Sequence, residues 1–141
     1  MDYSVLINGN GKDHYKVVEG LVAAEAKNHD TRVFVYAPSN ATISTEVAST
    51  ATVIPASKVV LPEIFNVLLG FDTIRCSGIL DTPKDLVLII PECDRYLRYV
   101  PAELVQTLLN RLAYLGVRLI FISDGGIATT LTYESVRDAE D

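Results

Sequence analysis

Short, almost wholly apolar segments set the fold class of this chain. Residues 5–7, 86–90 and 117–122 are such segments, and Gly, Asn, Asp or Pro residues bound them. A strand that is apolar on both of its faces is typical of a buried parallel sheet. Helical patterns separate the segments and no hairpin turn joins them. The pattern therefore predicts an α/β fold, a three-layer sandwich with a mostly parallel, doubly wound sheet.

Apolar residues at helical spacing predict two main helices, over 15–27 and 101–115. β-branched and aromatic residues predict a further strand over 32–36. Shorter elements are expected at Val53–Ile54 (strand) and 62–69 (helix), and the rest of 40–60 carries little pattern. The expected core stripe of the second helix is Leu104, Leu108 and Leu112, with Val105 and Leu109 beside it.

Length and composition fit one domain of 141 residues, of which 49% are hydrophobic. Such a chain can bury a core without disulfides, so we expect Cys76 and Cys93 to be reduced core thiols. The apolar blocks are shorter than the ~20 residues of a membrane span. Asp2 stands where a secretion signal would begin with basic residues. We therefore expect a cytoplasmic protein without a membrane partner.

The net charge of −6 argues against a broad surface for phosphate backbones, although it permits a local basic patch. Part of this charge lies in residues 134–141, which hold four acidic residues against Arg137. We expect residues 1–133 to form the α/β domain. Residues 134–141 are expected to be a solvated acidic tail, with a composition that is compatible with disorder.

A candidate phosphate loop, Gly9-Asn10-Gly11-Lys12, follows the first strand and precedes the first helix. Glycines let backbone N–H groups face an anion, and lysine adds a full positive charge. The P-loop pattern GxxxxGK[ST] is three residues longer between its glycines, and Asp13 replaces the hydroxyl that would bind Mg²⁺. The alternative is a tight strand-to-helix turn in which Asp13 caps the helix.

A second candidate half-site follows the strand 86–90, in the sequence Leu-Val-Leu-Ile-Ile-Pro-Glu that ends at Glu92. After it come Tyr96-Leu97, Pro101, a leucine-rich helix to Gly116 and the strand 118–123. This order resembles the FtsK/HerA-type DNA-pumping ATPases and the zonula-occludens-toxin-like phage assembly ATPases. The resemblance covers residues 85–126 well and residues 4–38 loosely.

The resemblance implies that Glu92 is the catalytic glutamate and that Ser123 or Asp124 senses the γ-phosphate. It also implies an aspartate at position 91, where this chain has Pro91. Asp13 stands in place of the loop hydroxyl and Pro91 in place of the aspartate, so this chain lacks both of the Mg²⁺ ligands that the resemblance implies. ATP hydrolysis should therefore be severely impaired. The alternative for Glu92 is an ordinary loop carboxylate. The loops that follow the three buried strands should meet at one edge of the sheet.

Arginine and tyrosine alternate in Arg95, Tyr96, Arg98 and Tyr99. This combination favours a surface that binds a protein over one that binds nucleic acid. His14 and His29 have no ligand spacing with Cys or acidic residues, so we predict no metal site.

The leading hypothesis is a P-loop-like module that is non-catalytic or binds nucleotide weakly and acts through a protein partner or a homo-oligomer. A phage, mobile-element or DNA-handling complex is the expected context. The sequence predicts no definite cofactor, and ATP is the candidate for the loop. One alternative is an active atypical NTPase whose Mg²⁺ ligands come from Asp13, Glu92 or a neighbouring subunit. Another is an α/β protein outside the P-loop class that binds a small ligand.

Overall fold

The computed structural model describes residues 3–28, 30–38, 41–56, 85–114 and 116–140, and the positions 66, 69, 70 and 73. Its strands are β1 (Ser4–Asn8), β2 (Thr31–Pro38), β3 (Thr52–Ala56), β4 (Asp85–Ile90), β5 (Val117–Ser123) and β6 (Ser135–Asp138). Its helices are α1 (His14–Glu25), α2 (Thr45–Thr50), α3 (Cys93–Leu97) and α4 (Ala102–Tyr114), with a 3-10 turn at Ile127–Thr130. His29 and Cys76 lie outside the described residues, as does the predicted helix 62–69 apart from positions 66 and 69.

One six-stranded sheet runs through the structure in the order β3-β2-β4-β5-β1-β6. Every neighbouring pair of strands is parallel. The predicted α/β class and parallel sheet are confirmed, and helices flank the sheet on both sides. The described helices include none with the length and apolarity that a membrane crossing requires.

Alternation of side chains along the strands builds a core on each face of the sheet. Residues such as Val87 and Ile89 of β4 pack with Val18 of α1 in one cluster. Leu88 and Ile90 of the same strand join the other cluster, which includes the buried residues of α3 and α4. Because β4 is buried on both faces, it is apolar at nearly every position, which is why its sequence is so readable.

The face that helix α4 turns to the sheet is shifted from the predicted one and shares Leu112 with it. Val105, Leu109 and Leu112 are its buried residues, whereas Leu104 is 47% exposed. Both leucine stripes have helical spacing, so periodicity alone cannot choose between two faces that lie one residue apart. The predicted Leu104 stripe is therefore corrected to one centred on Leu109.

Residues 135–138 form a strand, whereas the sequence predicted an acidic tail there. β6 pairs in parallel with β1, and the N–H of Ala139 donates to the carbonyl oxygen of Asn8 at 2.8 Å. Ala139 is buried, but Val136, Arg137 and Asp138 are exposed. An edge strand with polar, exposed side chains lacks the apolar pattern that identifies a strand in a sequence.

Helix α2 was not predicted, although its start has a recognisable cap. The Ser44 hydroxyl accepts from the N–H of Val47 at 3.2 Å, and Val47 is the buried residue of the helix. A six-residue helix with one buried position is too short to show an amphipathic pattern.

Substitution of Leu109 and Leu104 tests which face of α4 packs on the sheet. We expect Leu109→Ala to lower the free energy of unfolding by about 2–5 kcal/mol, because it leaves a cavity in a packed core. Leu104→Ala, on the exposed face, should cost less than about 1 kcal/mol. Urea denaturation of both variants measures the difference, and equal losses would contradict the observed orientation.

Truncation distinguishes a sixth strand from a tail. Removal of residues 135–141 should lower the free energy of unfolding by about 2–4 kcal/mol, because several backbone hydrogen bonds to β1 are lost at about 1 kcal/mol each. Removal of residues 140–141 alone is the control, since it keeps β6 and Ala139. A thermal or urea melt that is unchanged by the longer truncation would show that β6 adds nothing to the domain.

Candidate functional site

The predicted polar loops meet at the carboxyl edge of the sheet, beyond the ends of β1, β4 and β5. From β1 the chain continues to α1 on one face, while from β5 it continues to the 3-10 turn on the other face. Adjacent parallel strands whose connections leave to opposite faces form a crevice, the usual ligand site of such sheets. The loop 9–13 and the loop 123–126 line this crevice from its two sides.

Hydrogen bonds close the crevice within the chain. The N–H of Gly9 donates to the carbonyl oxygen of Ser123 at 2.7 Å. Asn10 and Gly11 then have positive φ angles of 55° and 75°, which reverse the chain before the N–H of Lys12 donates back to the Gly9 carbonyl oxygen at 3.0 Å. The candidate phosphate loop is therefore a tight turn.

Asp124 supplies the anion that the loop binds. Its Oδ1 accepts from the N–H of Gly11 at 3.0 Å, and its Oδ2 lies 2.9 Å from Nε2 of His14. The pKa of the Asp124 carboxyl lies below its usual value, mainly because the Gly11 N–H stabilises the ionised form, with a further contribution from His14. The carboxylate thus occupies a backbone N–H group that a phosphate would need.

Lys12 and Asp13 are turned to structural partners. Nζ of Lys12 donates to the carbonyl oxygen of Ala139 at 2.9 Å, just beyond β6. Asp13 is the N-cap of α1, and its Oδ1 accepts from the N–H of Tyr15 at 3.0 Å. Asp13 therefore caps the helix, as the alternative interpretation of the loop predicts.

His14 joins the two candidate half-sites, and sequence reasoning missed this role. Its Nδ1 accepts from the N–H of Glu92 at 2.8 Å. With Nδ1 as the acceptor, Nε2 carries the proton and donates to Asp124. His14 is only 7% exposed. The only sequence signal was its place at the first turn of a helix after a glycine loop.

Glu92 contacts Tyr15 and Arg95 through its carboxylate. Its backbone is left-handed, with φ 52° and ψ 41°. Its Oε2 accepts from the hydroxyl of Tyr15 at 2.9 Å and lies 3.6 Å from the guanidinium of Arg95. Burial and the contact with Glu92 raise the pKa of the Tyr15 hydroxyl above its usual value, so it remains a donor. Glu92, Tyr15 and Arg95 line a shallow groove of about 290 Å³, together with Asp13, Pro38, Ala41 and Thr42.

A second polar cluster beside the crevice was not predicted. The Ser123 hydroxyl bonds to Oδ2 of Asp94 and accepts from the N–H of Gly125 at 3.0 Å. Oδ1 of Asp94 is buried and has no hydrogen-bond partner among the described residues. Burial, followed by the charge of Asp94, raises the pKa of the Cys93 thiol well above its usual value. Cys93 is thus an unreactive core thiol.

The predicted interaction residues divide between surface and core. Tyr96 is 1% exposed and packs edge-on against Tyr36, with 4.9 Å between ring centroids. The helical spacing of α3 turns Tyr96 inward, so it is removed from the predicted surface. Arg98 and Tyr99 are exposed and stacked, with 5.6 Å between the guanidinium carbon and the ring centroid.

The described ranges contain no group of three or more His, Cys, Asp or Glu residues arranged to hold a metal ion. The sequence matches no protein-family model and no curated protein. The carboxyl edge of the sheet is the candidate functional site.

Two glycine substitutions test how tightly the crevice is closed. A Cβ on Gly9 would lie 2.4 Å from Oδ1 of Asp124 and 2.7 Å from Nε2 of His14. We expect Gly9→Ala to lower the free energy of unfolding by about 1–3 kcal/mol, because these packed atoms must move. Gly20→Ala is the control, since a Cβ on Gly20 in α1 meets no atom within 4 Å.

Glycine inside a helix is less favourable than alanine, so Gly20→Ala should raise the free energy of unfolding by about 0.5–1 kcal/mol. Urea denaturation measures the expected loss for Gly9→Ala and the expected gain for Gly20→Ala. A neutral Gly9→Ala would mean that the loop and Asp124 stand further apart than the structure places them.

Proposed function

We propose that this chain is a non-catalytic α/β module on a P-loop-like scaffold, which acts through a protein partner or a homo-oligomer. The resemblance to DNA-pumping and phage assembly ATPases favours a role in an assembly or DNA-handling complex. The observation that carries the proposal is the hydrogen bond from the Gly11 N–H to Asp124 at 3.0 Å. The loop has an anion of its own.

A nucleotide phosphate would have to displace the Asp124 carboxylate or share the loop with it. Displacement leaves Asp124 without its bonds to Gly11 and His14, and sharing places two anions against one N–H group. The Gly9 backbone leaves no room for the carboxylate to slide inward, since even one added carbon there would lie 2.4 Å from Oδ1. Both routes oppose phosphate binding.

Metal-assisted phosphoryl transfer has little support at this edge of the sheet. The ATPases that the sequence resembles hold Mg²⁺ through a loop hydroxyl and a carboxylate before the glutamate. In this chain those positions are Asp13, which caps α1, and Pro91, which is buried. Glu92 bonds to Tyr15 and faces Arg95, so its carboxylate is engaged on the side of the groove.

An interaction role agrees with the exposed residues after α3. Tyr99 is 75% exposed and carries Arg98 against its ring. Tyrosine and arginine are over-represented in the central residues of protein interfaces, where they supply much of the binding energy. Arg98 and Tyr99, with Arg95 beside them, are the residues through which we propose that a partner binds.

Thermal melts with nucleotides test the proposal directly. We expect no rise in Tm with Mg-ATP or Mg-GTP, and no ATP hydrolysis above the rate without protein. A ligand at about one hundred times its Kd would add about 2.7 kcal/mol to the folded state, which a melt resolves.

Hydrolysis of ATP that stops in both Lys12→Ala and Glu92→Ala would contradict the proposal and support an atypical NTPase. A Tm rise with a dinucleotide or a flavin that survives Lys12→Ala would instead support a small-ligand protein that uses the groove beside Tyr15 and Glu92. Tyr114→Ala is the control for Lys12→Ala and Glu92→Ala, because Tyr114 is 83% exposed and lies at the far end of α4. It should change neither ATP hydrolysis nor the Tm rise with a ligand.

A further inference from the structure

A buried histidine holds two loops of the carboxyl edge through opposite kinds of hydrogen bond. Nδ1 of His14 accepts from the N–H of Glu92 at 2.8 Å, while Nε2 lies 2.9 Å from Oδ2 of Asp124. A neutral imidazole has one donor and one acceptor, and this pair of partners uses both. Only the neutral form with its proton on Nε2 satisfies the two contacts together.

Protonation changes one contact and keeps the other. A proton taken from solvent forms an N–H bond at the Nδ1 lone pair, so both ring nitrogens become donors. Nδ1 then faces the N–H of Glu92, donor against donor, and that hydrogen bond is lost. The bond from Nε2 to Asp124 becomes charge-assisted and therefore stronger.

Loss of the hydrogen bond between His14 and the N–H of Glu92 affects the backbone conformation of Glu92. A left-handed conformation is unfavourable for a residue with a side chain, so surrounding contacts must hold it. The described contacts of Glu92 include its N–H bond to His14, the Arg95 N–H bond to its carbonyl oxygen at 3.0 Å, and the Tyr15 hydroxyl. Loss of the first leaves the N–H of Glu92 without its acceptor, while the Arg95 N–H still holds its carbonyl oxygen and the Tyr15 hydroxyl its carboxylate.

The charged groups around His14 have defined directions. Asp124, from the loop after β5, is the ionic partner of the imidazole. Glu92, from the loop after β4, presents its N–H to the ring and its carboxylate to Tyr15 and Arg95. On the histidine's own side of the crevice, Lys12 bonds to Ala139 and Asp13 caps α1. Asp124 thus faces the Nε2 side of the ring, and the Glu92 N–H faces the Nδ1 side.

We propose that His14 is a proton-dependent switch of the 91–93 turn. The neutral imidazole fixes Glu92 in its left-handed conformation at the rim of the groove. The imidazolium releases Glu92 and retains Asp124. The proton on Nδ1 is the one change that the switch requires. The inference is independent of the proposed function, because it requires neither a nucleotide nor a partner.

The test is an NMR titration of the full chain between about pH 8 and pH 5, with His29→Gln in the sample so that the imidazole signals come from His14. We expect the Glu92 amide to shift with the same midpoint as the His14 ring. Its hydrogen exchange, corrected for the intrinsic effect of pH, should accelerate roughly five- to tenfold as the hydrogen bond is lost. The Gly11 amide, which bonds to Asp124, should keep its protection.

Two substitutions separate the halves of the switch. His14→Asn offers a side-chain oxygen near the position of Nδ1 that does not titrate, so the Glu92 amide should stay protected and lose its pH dependence. His14→Gln keeps a donor directed at Asp124 without an acceptor for Glu92, so that amide should exchange rapidly at every pH.

The proposal is overturned if the His14 ring titrates while the Glu92 amide does not respond, or if the ring takes up no proton in this range. Equal loss of protection at Gly11 and Glu92 would also overturn it, because that result indicates unfolding of the whole edge. The titration of the His29→Gln chain decides the question even if a His14 variant does not fold.

Discussion

The close approach of Gly9 to Asp124 is the constraint on which the carboxyl edge depends. β1 and β5 are neighbours whose chains leave to opposite faces, and such a pair ordinarily opens a crevice for a ligand. Here the backbone of β1 bonds to β5 at Gly9, and the next side chain of the β5 loop fills the remaining space. The absence of a Cβ at Gly9 is what makes this contact possible, and the position of His14 follows from it.

The polar groups of this edge are paired within the chain in a continuous sequence. Asp124 accepts from Gly11 and His14, His14 accepts from Glu92, and Glu92 accepts from Tyr15. Among these side chains His14 is buried, and a buried polar group is costly without partners, so its two contacts fix the ring between the loops. The loop between β1 and α1 thus holds a carboxylate of the same chain, and the polar groups of this edge are arranged for rigidity.

Much of the fold, and less of the site, could be predicted from the sequence. β4 and β5 are apolar on both faces, so their burial and parallel pairing follow from composition alone. The packed face of α4 could not be assigned, because leucines occupy two adjacent stripes and only tertiary contacts select Leu109. β6 was missed because its backbone, rather than its side chains, joins the sheet. His14 and Asp124 lie 110 residues apart in sequence, so their pairing depends on the order of the strands in the sheet and not on local sequence.

The position of β1 between β5 and β6 also determines when the first strand can enter the sheet. Its partners are among the last elements of the described chain, and the contact between Asn8 and Asp138 spans 130 positions. Contacts with such separations carry a large loop-closure entropy and form late, whereas β4, α4 and β5 are joined by short connections. During synthesis from the N-terminus, the backbone N–H and C=O groups along the two edges of β1 therefore lack their sheet partners until β5 and β6 have emerged. Completion of the sheet and closure of the crevice are then a single late folding event.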